Sequence, residues 1–304
     1  MSKLFDFNFF AMGTRFNAVL PSLDLELRDR VSQHLREEVK RIELLLSYFN
    51  KESDVFKINT RTTHENILVN DELFNILETC KQYNYLTGGA FDITLRPLIH
   101  FWQQQHDDII DHEEFMETKK MIGFQKIQLN SENRTISFEN CKTKIDFGGF
   151  GKGYALEKVE KILREYSVEN AFISFGESSV LALGKHPNGD CWKIGINNYL
   201  SPGDSIHSFD VINGSVSTSS NFSVSDSGQL IENINVMNPA TCSPVKSFKS
   251  VSVKSSSAIQ SEILSTSLLV MEKWKIEETI NQFLSSSAVE ILYNPERPVI
   301  SMYN

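Results

Sequence analysis

From residue 171 to residue 253 the chain is a succession of short strand-like runs separated by Gly, Asn, Ser and Pro, with no helical run between them. Helical patterns lie outside that stretch. Leu27, Val31, Leu35, Val39, Ile42 and Leu45 recur at spacings of three and four, the apolar stripe of an amphipathic helix over 24–48. Further helices are expected at 71–86, stopped by Gly88-Gly89, and at 112–121, 153–166, 258–271 and 273–284. Residues 7–20 alternate as a strand pair, or as one long strand bent at Gly13. Strand-like runs also fall at 126–129, 134–138, 143–146, 289–293 and 298–302. This order lacks the regular strand–helix alternation of a doubly wound sheet, so the expected class is α+β with mainly antiparallel sheet. No low-complexity linker divides the 304 residues, and the Ser-rich stretch 215–227 is the nearest approach to one. The whole of 1–304 is therefore read as a single domain.

The formal net charge is −9, which excludes a general affinity for nucleic acid, whose phosphates require a basic face. It leaves room for a small anionic ligand in a local site of opposite sign. Cys80, Cys141, Cys191 and Cys242 form no CxxC pair, and none stands beside a His at zinc-finger spacing. Scattered thiols suit a reducing compartment. Asp6 and Arg15 interrupt the apolar residues of the N-terminus, so no secretory signal is read there. No window reaches the roughly 18 apolar residues of a membrane span. A cytoplasmic protein is expected, with an exported form left open.

Four segments carry candidate chemistry, each with a plainer structural reading beside it. Residues 146–153, Asp-Phe-Gly-Gly-Phe-Gly-Lys-Gly, place four glycines and a lysine between a strand and a helix. Backbone amides there can cradle phosphate, or the segment is only a tight turn. It is not a P-loop, which needs Ser or Thr after the Lys, and no kinase catalytic loop precedes its DFG triplet. Residues 87–94, Thr-Gly-Gly-Ala-Phe-Asp-Ile-Thr, offer Asp92 beside Thr94, or are a helix C-cap followed by an Asx-type turn. Glu262 and Thr266 lie four apart on one helix face after a capping box at Ser257 and Gln260. Their oxygens suit a hard cation such as Mg2+, or are a solvated Glu and a helix-bonded Thr. Residues 238–244, Asn-Pro-Ala-Thr-Cys-Ser-Pro, read as a strand leaving into a turn. Two further features are assigned plain roles. His100, His106 and His112 with Asp107, Asp108 and Asp111 read as a solvated loop rather than a metal cluster. Phe5, Phe7, Phe9 and Phe10 read as core strand.

Taken in order, these segments resemble the ApbE family of FAD-binding, Mg2+-dependent flavin transferases. Ala11-Met-Gly-Thr14 resembles the family's AMGT, and Leu46–Ser53 with Ile58-Asn59 its S-x-Y-x-x-x-S…N segment. Gly89–Leu98 with Trp102 is similar to GAFDxTxxPL…W, and Asp146–Tyr154 to D-x-G-G-x-x-K-G-Y. Asn238–Thr241 resembles [DN]-P-x-T, and Glu262–Thr266 D-x-x-x-T. The match runs over about residues 9–271. It implies an α+β fold with T-fold-like antiparallel sheets packed with helices. It implies a transferase that splits the FAD pyrophosphate, releases AMP and attaches FMN to a Thr or Ser of an acceptor protein. By similarity Met12, Phe49, Ala90, Phe91, Asp92, Asp146, Lys152 and Val236 would contact FAD. Gly149 through its carbonyl, Glu262 and Thr266 would hold Mg2+.

The departures from the family pattern gather around the same positions. Phe49 replaces a Tyr, Glu177-Ser178 a Gly-Asp, Ser220 a Gly, Asn235 a His, Cys242 a Gly, and Glu262 an Asp. An Asn amide cannot accept a proton near pH 7 as a His can. A longer Glu keeps oxygen ligation but shifts it. Reduced catalysis with weaker Mg2+ binding is the expectation. An FAD pyrophosphatase releasing FMN and AMP, and a non-catalytic flavin-binding module, are the alternatives.

Overall fold

The computed structural model describes residues 4–21, 23–105, 110–201, 203–225, 227–294 and 297–304. Its main feature is an eight-stranded sheet whose neighbours are all antiparallel. In spatial order the strands are Leu4–Ala11, Thr14–Pro21, Ala171–Phe175, Ser179–Leu183, Gly214–Ser220, Lys249–Ser255, Ser287–Tyr293 and Pro298–Tyr303. That is also their order in the chain, so every neighbour is the next strand of the sheet and helices enter only as insertions. The expected α+β class with antiparallel sheet is what the chain adopts. Residues 4–21 form a strand pair, in register from Leu4 opposite Pro21 to Ala11 opposite Thr14.

Among the described residues eight α-helices accompany the sheet: α1 Leu25–Leu46, α2 Asp54–Asn59, α3 Asp71–Leu86, α4 Arg96–Gln104, α5 His112–Lys119, α6 Gly151–Glu165, α7 Ala258–Leu269 and α8 Lys273–Ile280. The α1 stripe buries Val31, Leu35, Val39, Ile42 and Leu45 as its spacing requires, and Asp24 caps it by accepting from the Leu27 amide at 2.8 Å. Strand alternation sends Ile173, Phe175, Leu181 and Leu183 to the core shared with α1 and α6. Val180, Ala182, Val216 and Ile291 go to the opposite face. There a hairpin of Trp192–Asn197 and Ser205–Val211 covers them. Phe5, Phe7 and Phe9 stack in series along the first strand. Phe9 is buried, while Phe10 is exposed.

One expectation needs correction. Residues 143–146, expected as a strand, join no ladder. At Ile145 the backbone partner is a side chain: Asn59 donates to the Ile145 carbonyl at 2.8 Å and accepts from its amide at 2.9 Å. The Ser-rich stretch forms, over Gly214–Ser220, a sheet strand facing α7. Ser215 meets Ser261, Ser217 meets Ser265, and Ser219 meets both Ser265 and Thr266 through hydroxyl contacts of 2.8–3.4 Å. Small hydroxylated side chains let the helix lie close to the strand while bonding one another. His106, Asp107 and Asp108 lie outside the described residues.

Candidate flavin site

Three backbone devices bring the motif segments together. The first two strands turn over only two residues, Met12 and Gly13, at φ 51 and 74. Such a turn needs positive φ twice, which Gly adopts freely and Met12 does not. The strained residue lays its side chain over the start of α6: a Cβ on Gly151 would stand 2.9 Å from Met12 Cε. The second device ends α3. Gly88 and Gly89 take φ 59 and 82, and the Gly89 amide donates to the Asn84 carbonyl at 2.7 Å. Asp92 then closes an Asx-type turn. Its Oδ1 accepts from the Thr94 amide at 2.8 Å and the Thr94 hydroxyl at 2.6 Å, and its Oδ2 from the Phe124 amide at 3.1 Å. The third joins the two glycine-rich segments, through the Asp146 amide donating to the Ile93 carbonyl at 2.8 Å.

These devices line two adjacent cavities. One, of about 400 Å³, is walled by Ala90, Phe91 and Asp92 on one side and by Gly149, Val236 and Thr266 on the other. The second, of about 430 Å³, lies between Met12, Tyr48 and Gly151. Phe49, Asp146 and Gly148 line both. Phe49 is 71% exposed, an aromatic surface open to solvent at the point where the cavities meet. Burial raises the carboxyls of Asp92 and Asp146 above the usual carboxylate range. For Asp92 the bonds from Thr94 and Phe124 oppose that shift. For Asp146 the opposing influences are the Arg96 charge and the Gly148 amide.

Glu262 differs in placement. It is 3% exposed and lines neither cavity. Its Oε1 receives the Lys152 ammonium at 2.5 Å, and its Oε2 the hydroxyls of Ser179 at 2.5 Å and Ser217 at 3.1 Å. Helices α6 and α7 approach closely enough for this because Gly153 has no side chain. A Cβ there would stand 2.5 Å from the Ala258 carbonyl oxygen and 2.9 Å from Glu262 Cβ. Beside them the Gly149 backbone abuts Thr266, whose Oγ1 would lie 3.3 Å from a Cβ on Gly149. Carbonyl, hydroxyl and carboxylate oxygens are the donors a hard divalent cation takes. The ammonium already on Oε1 shows that this buried carboxylate accepts a cation. By donor chemistry the set fits Mg2+, with Lys152 as its competitor.

Of the eleven positions singled out from the sequence, Met12, Phe49, Ala90, Phe91, Asp92, Asp146, Gly149, Val236 and Thr266 line the two cavities. Lys152 and Glu262 do not, because each neutralises the other behind the wall. Asn235 also lines the first cavity, and its carbonyl accepts from the Gln103 amide at 2.9 Å. Two of the replacements for Gly, Glu177 and Cys242, hold φ 59 and 54, the left-handed conformation that Gly tolerates. Arg96, Ser179 and Ser217 escaped the sequence reading. Arg96 is the one cation in the 87–98 block, and that was the available signal; nothing local marked the serines.

Comparison with known proteins places this geometry. The sequence profile of the ApbE family matches residues 12–291. The FAD:protein FMN transferase of Escherichia coli K12 is 23% identical over 282 residues, covering 89% of this chain and 79% of that protein. Its counterpart in Vibrio cholerae is 22% identical over 284 residues, covering 86% and 79%. The crystal structure of the ApbE protein of Thermotoga maritima superposes with a TM-score of 0.84 at 26% identity, covering 99% of this chain and 97% of that one. The Vibrio cholerae flavin transferase ApbE shares the fold with a TM-score of 0.85 at 18% identity, covering 100% and 98%. By sequence profile over nearly its whole length, this chain belongs to the ApbE family.

Proposed function

We propose that the protein is an FAD:protein FMN transferase, Mg2+-dependent and slower than its relatives. The observation that carries this reading is the pair of cavities meeting at Phe49, Asp146 and Gly148. Two ring systems joined by a pyrophosphate have the shape such a pair can hold. The cavities draw on residues from Met12 to Val270, so the chain acts as one catalytic unit. Its four free cysteines suit a cytoplasmic setting. Among the described residues no helix is long and apolar enough to cross a membrane.

In the reaction an acceptor Thr or Ser oxygen forms a bond to the FMN phosphorus. The bond from that phosphorus to the AMP oxygen breaks, AMP leaves, and the hydroxyl proton passes to a base. Gly149, Thr266 and Glu262 would hold Mg2+, Glu262 exchanging its Lys152 contact for the metal. When bound, the ion neutralises charge that develops on the pyrophosphate. Phe49 offers its face to a ring system, and the exclusion of water by Phe91 and Met12 strengthens the electrostatics within. Asn235, tied to Gln103, offers no proton acceptor, and that motivates the reduced rate. The same observation favours flavin binding without turnover as the second reading.

The test is incubation of the purified protein with FAD and Mg2+, with and without an acceptor peptide carrying Thr. AMP and an FMN-mass adduct on the peptide are expected. AMP and FMN with no adduct would mean a hydrolase. Bound FAD with neither product would mean a flavin-binding scaffold.

A further inference from the structure

The reading of a flavin dinucleotide leaves open what meets its pyrophosphate, and the following rests on that reading. Two negative charges must be accommodated where the cavities meet, beside the carboxyl of Asp146. Among the described residues lining either cavity, Arg96 is the single cation. Lys152, the motif's own cation, is held behind the wall by Glu262.

Arg96 is the first residue of α4, and no side chain caps that helix end. Its guanidinium carbon lies 4.7 Å from the Tyr48 ring centroid and 4.9 Å from that of Phe49. Stacking of this kind orients the plane while leaving its N–H donors free. The Asp146 Oδ2 oxygen is 3.7 Å away, an ion-pair distance too long for a hydrogen bond. None of the guanidinium's five donors bonds to another described residue, although the side chain is only 21% exposed. A half-buried guanidinium with unused donors is matched by an anion that can take two of them at once, as a phosphate does.

We propose that Arg96 is the pyrophosphate-binding cation of this protein, seated where the two cavities meet with the dinucleotide's rings on either side. It supplies positive charge that does not depend on a divalent ion, so FAD binds with the metal removed. Mg2+ is then needed for transfer rather than for capture.

The test is equilibrium titration of the full chain, in EDTA, with FAD and with riboflavin, which has no phosphate, followed by flavin fluorescence. Wild type is expected to bind both. Arg96→Met should weaken FAD by about 10- to 100-fold, the range of one or two charge-assisted hydrogen bonds, and leave riboflavin within about twofold. Arg96→Lys, which keeps the charge but not the planar fork, should fall between. Equal weakening of both ligands by Arg96→Met would show that Arg96 only shapes the cavity, and unchanged FAD affinity would show that it touches no phosphate. Either result overturns the proposal and leaves the flavin reading standing. A wild type that binds neither ligand, with and without Mg2+, overturns both.

Discussion

Replacing Lys152 by Met removes an ammonium and keeps most of the aliphatic stem. Glu262 would retain the Ser179 and Ser217 hydroxyls but lose its counter-charge while 3% exposed. Breaking a fully buried pair from one side costs about 3–5 kcal/mol. The Lys152 side chain is 22% exposed, so solvent screens part of the interaction and about 2–3 kcal/mol is expected. In a chain of 304 residues that lowers the melting temperature by roughly 3–5 °C. Urea unfolding in EDTA, with the m-value checked for constancy, gives the free energy directly. The double variant Lys152→Met, Glu262→Gln should recover part of the loss, since no unpaired charge remains buried. Mg2+ adds the decisive comparison. If Lys152 and the metal compete for Glu262, added Mg2+ raises the melting temperature of Lys152→Met by more than it raises that of wild type. Lys152→Met melting with wild type in EDTA would refute the energetic role of the pair. Equal Mg2+ responses would refute the competition.

Other changes test separate links. Glu177→Gly removes a side chain from an exposed residue at φ 59 and should stabilise by about 1 kcal/mol, read by the same unfolding titration. Gly153→Ala drives a methyl to 2.5 Å from the Ala258 carbonyl oxygen; separating α6 from α7 should cost about 1–3 kcal/mol and loosen the Lys152–Glu262 contact. Asn235→His places a proton acceptor at the first cavity and should raise the transfer rate by about 10²-fold, with little change in FAD affinity. The Asp146 carboxyl is raised above its ordinary 3.8 by burial, so its contribution to stability is full below that value and lost as the pH rises through the folded value. Asp146→Asn is neutral throughout. Its stability relative to wild type should therefore climb as the pH rises from 3.8 through the folded value and level off above it, and a flat difference would show that burial does not govern this group.

Local pattern was legible wherever one element meets a single apolar environment. The stripe from Leu27 to Leu45 marked α1 to within two residues of its ends, because a 3.6-residue period records which face is buried. Gly13 and Gly88-Gly89 marked turns because only positive φ explains glycine there. The ordered motif blocks determined the family by sequence alone, since each block keeps its own local geometry. Helices α2 and α4 were missed: the first has six residues and the second nine, too few turns for a period to register.

What remained hidden was pairing across long separations. Lys152 and Glu262 are 110 positions apart, and Ser179 and Glu262 are 83 apart. Their chemistry is plain in the sequence, but a carboxylate can take a metal, a ligand or an ammonium equally well until the fold fixes which is nearest. The Ser-rich run lay among strand-like runs, but its hydroxyl partners Ser261 and Ser265 on α7 were not legible in the sequence. Residues 143–146 carried a strand pattern, but Ile145 pairs with the Asn59 side-chain amide rather than with a strand. The sequence by itself determined the elements, the turns and the family. The tertiary structure decided which charges face the cavities and which neutralise one another behind them, because electrostatic partners are chosen by distance in space.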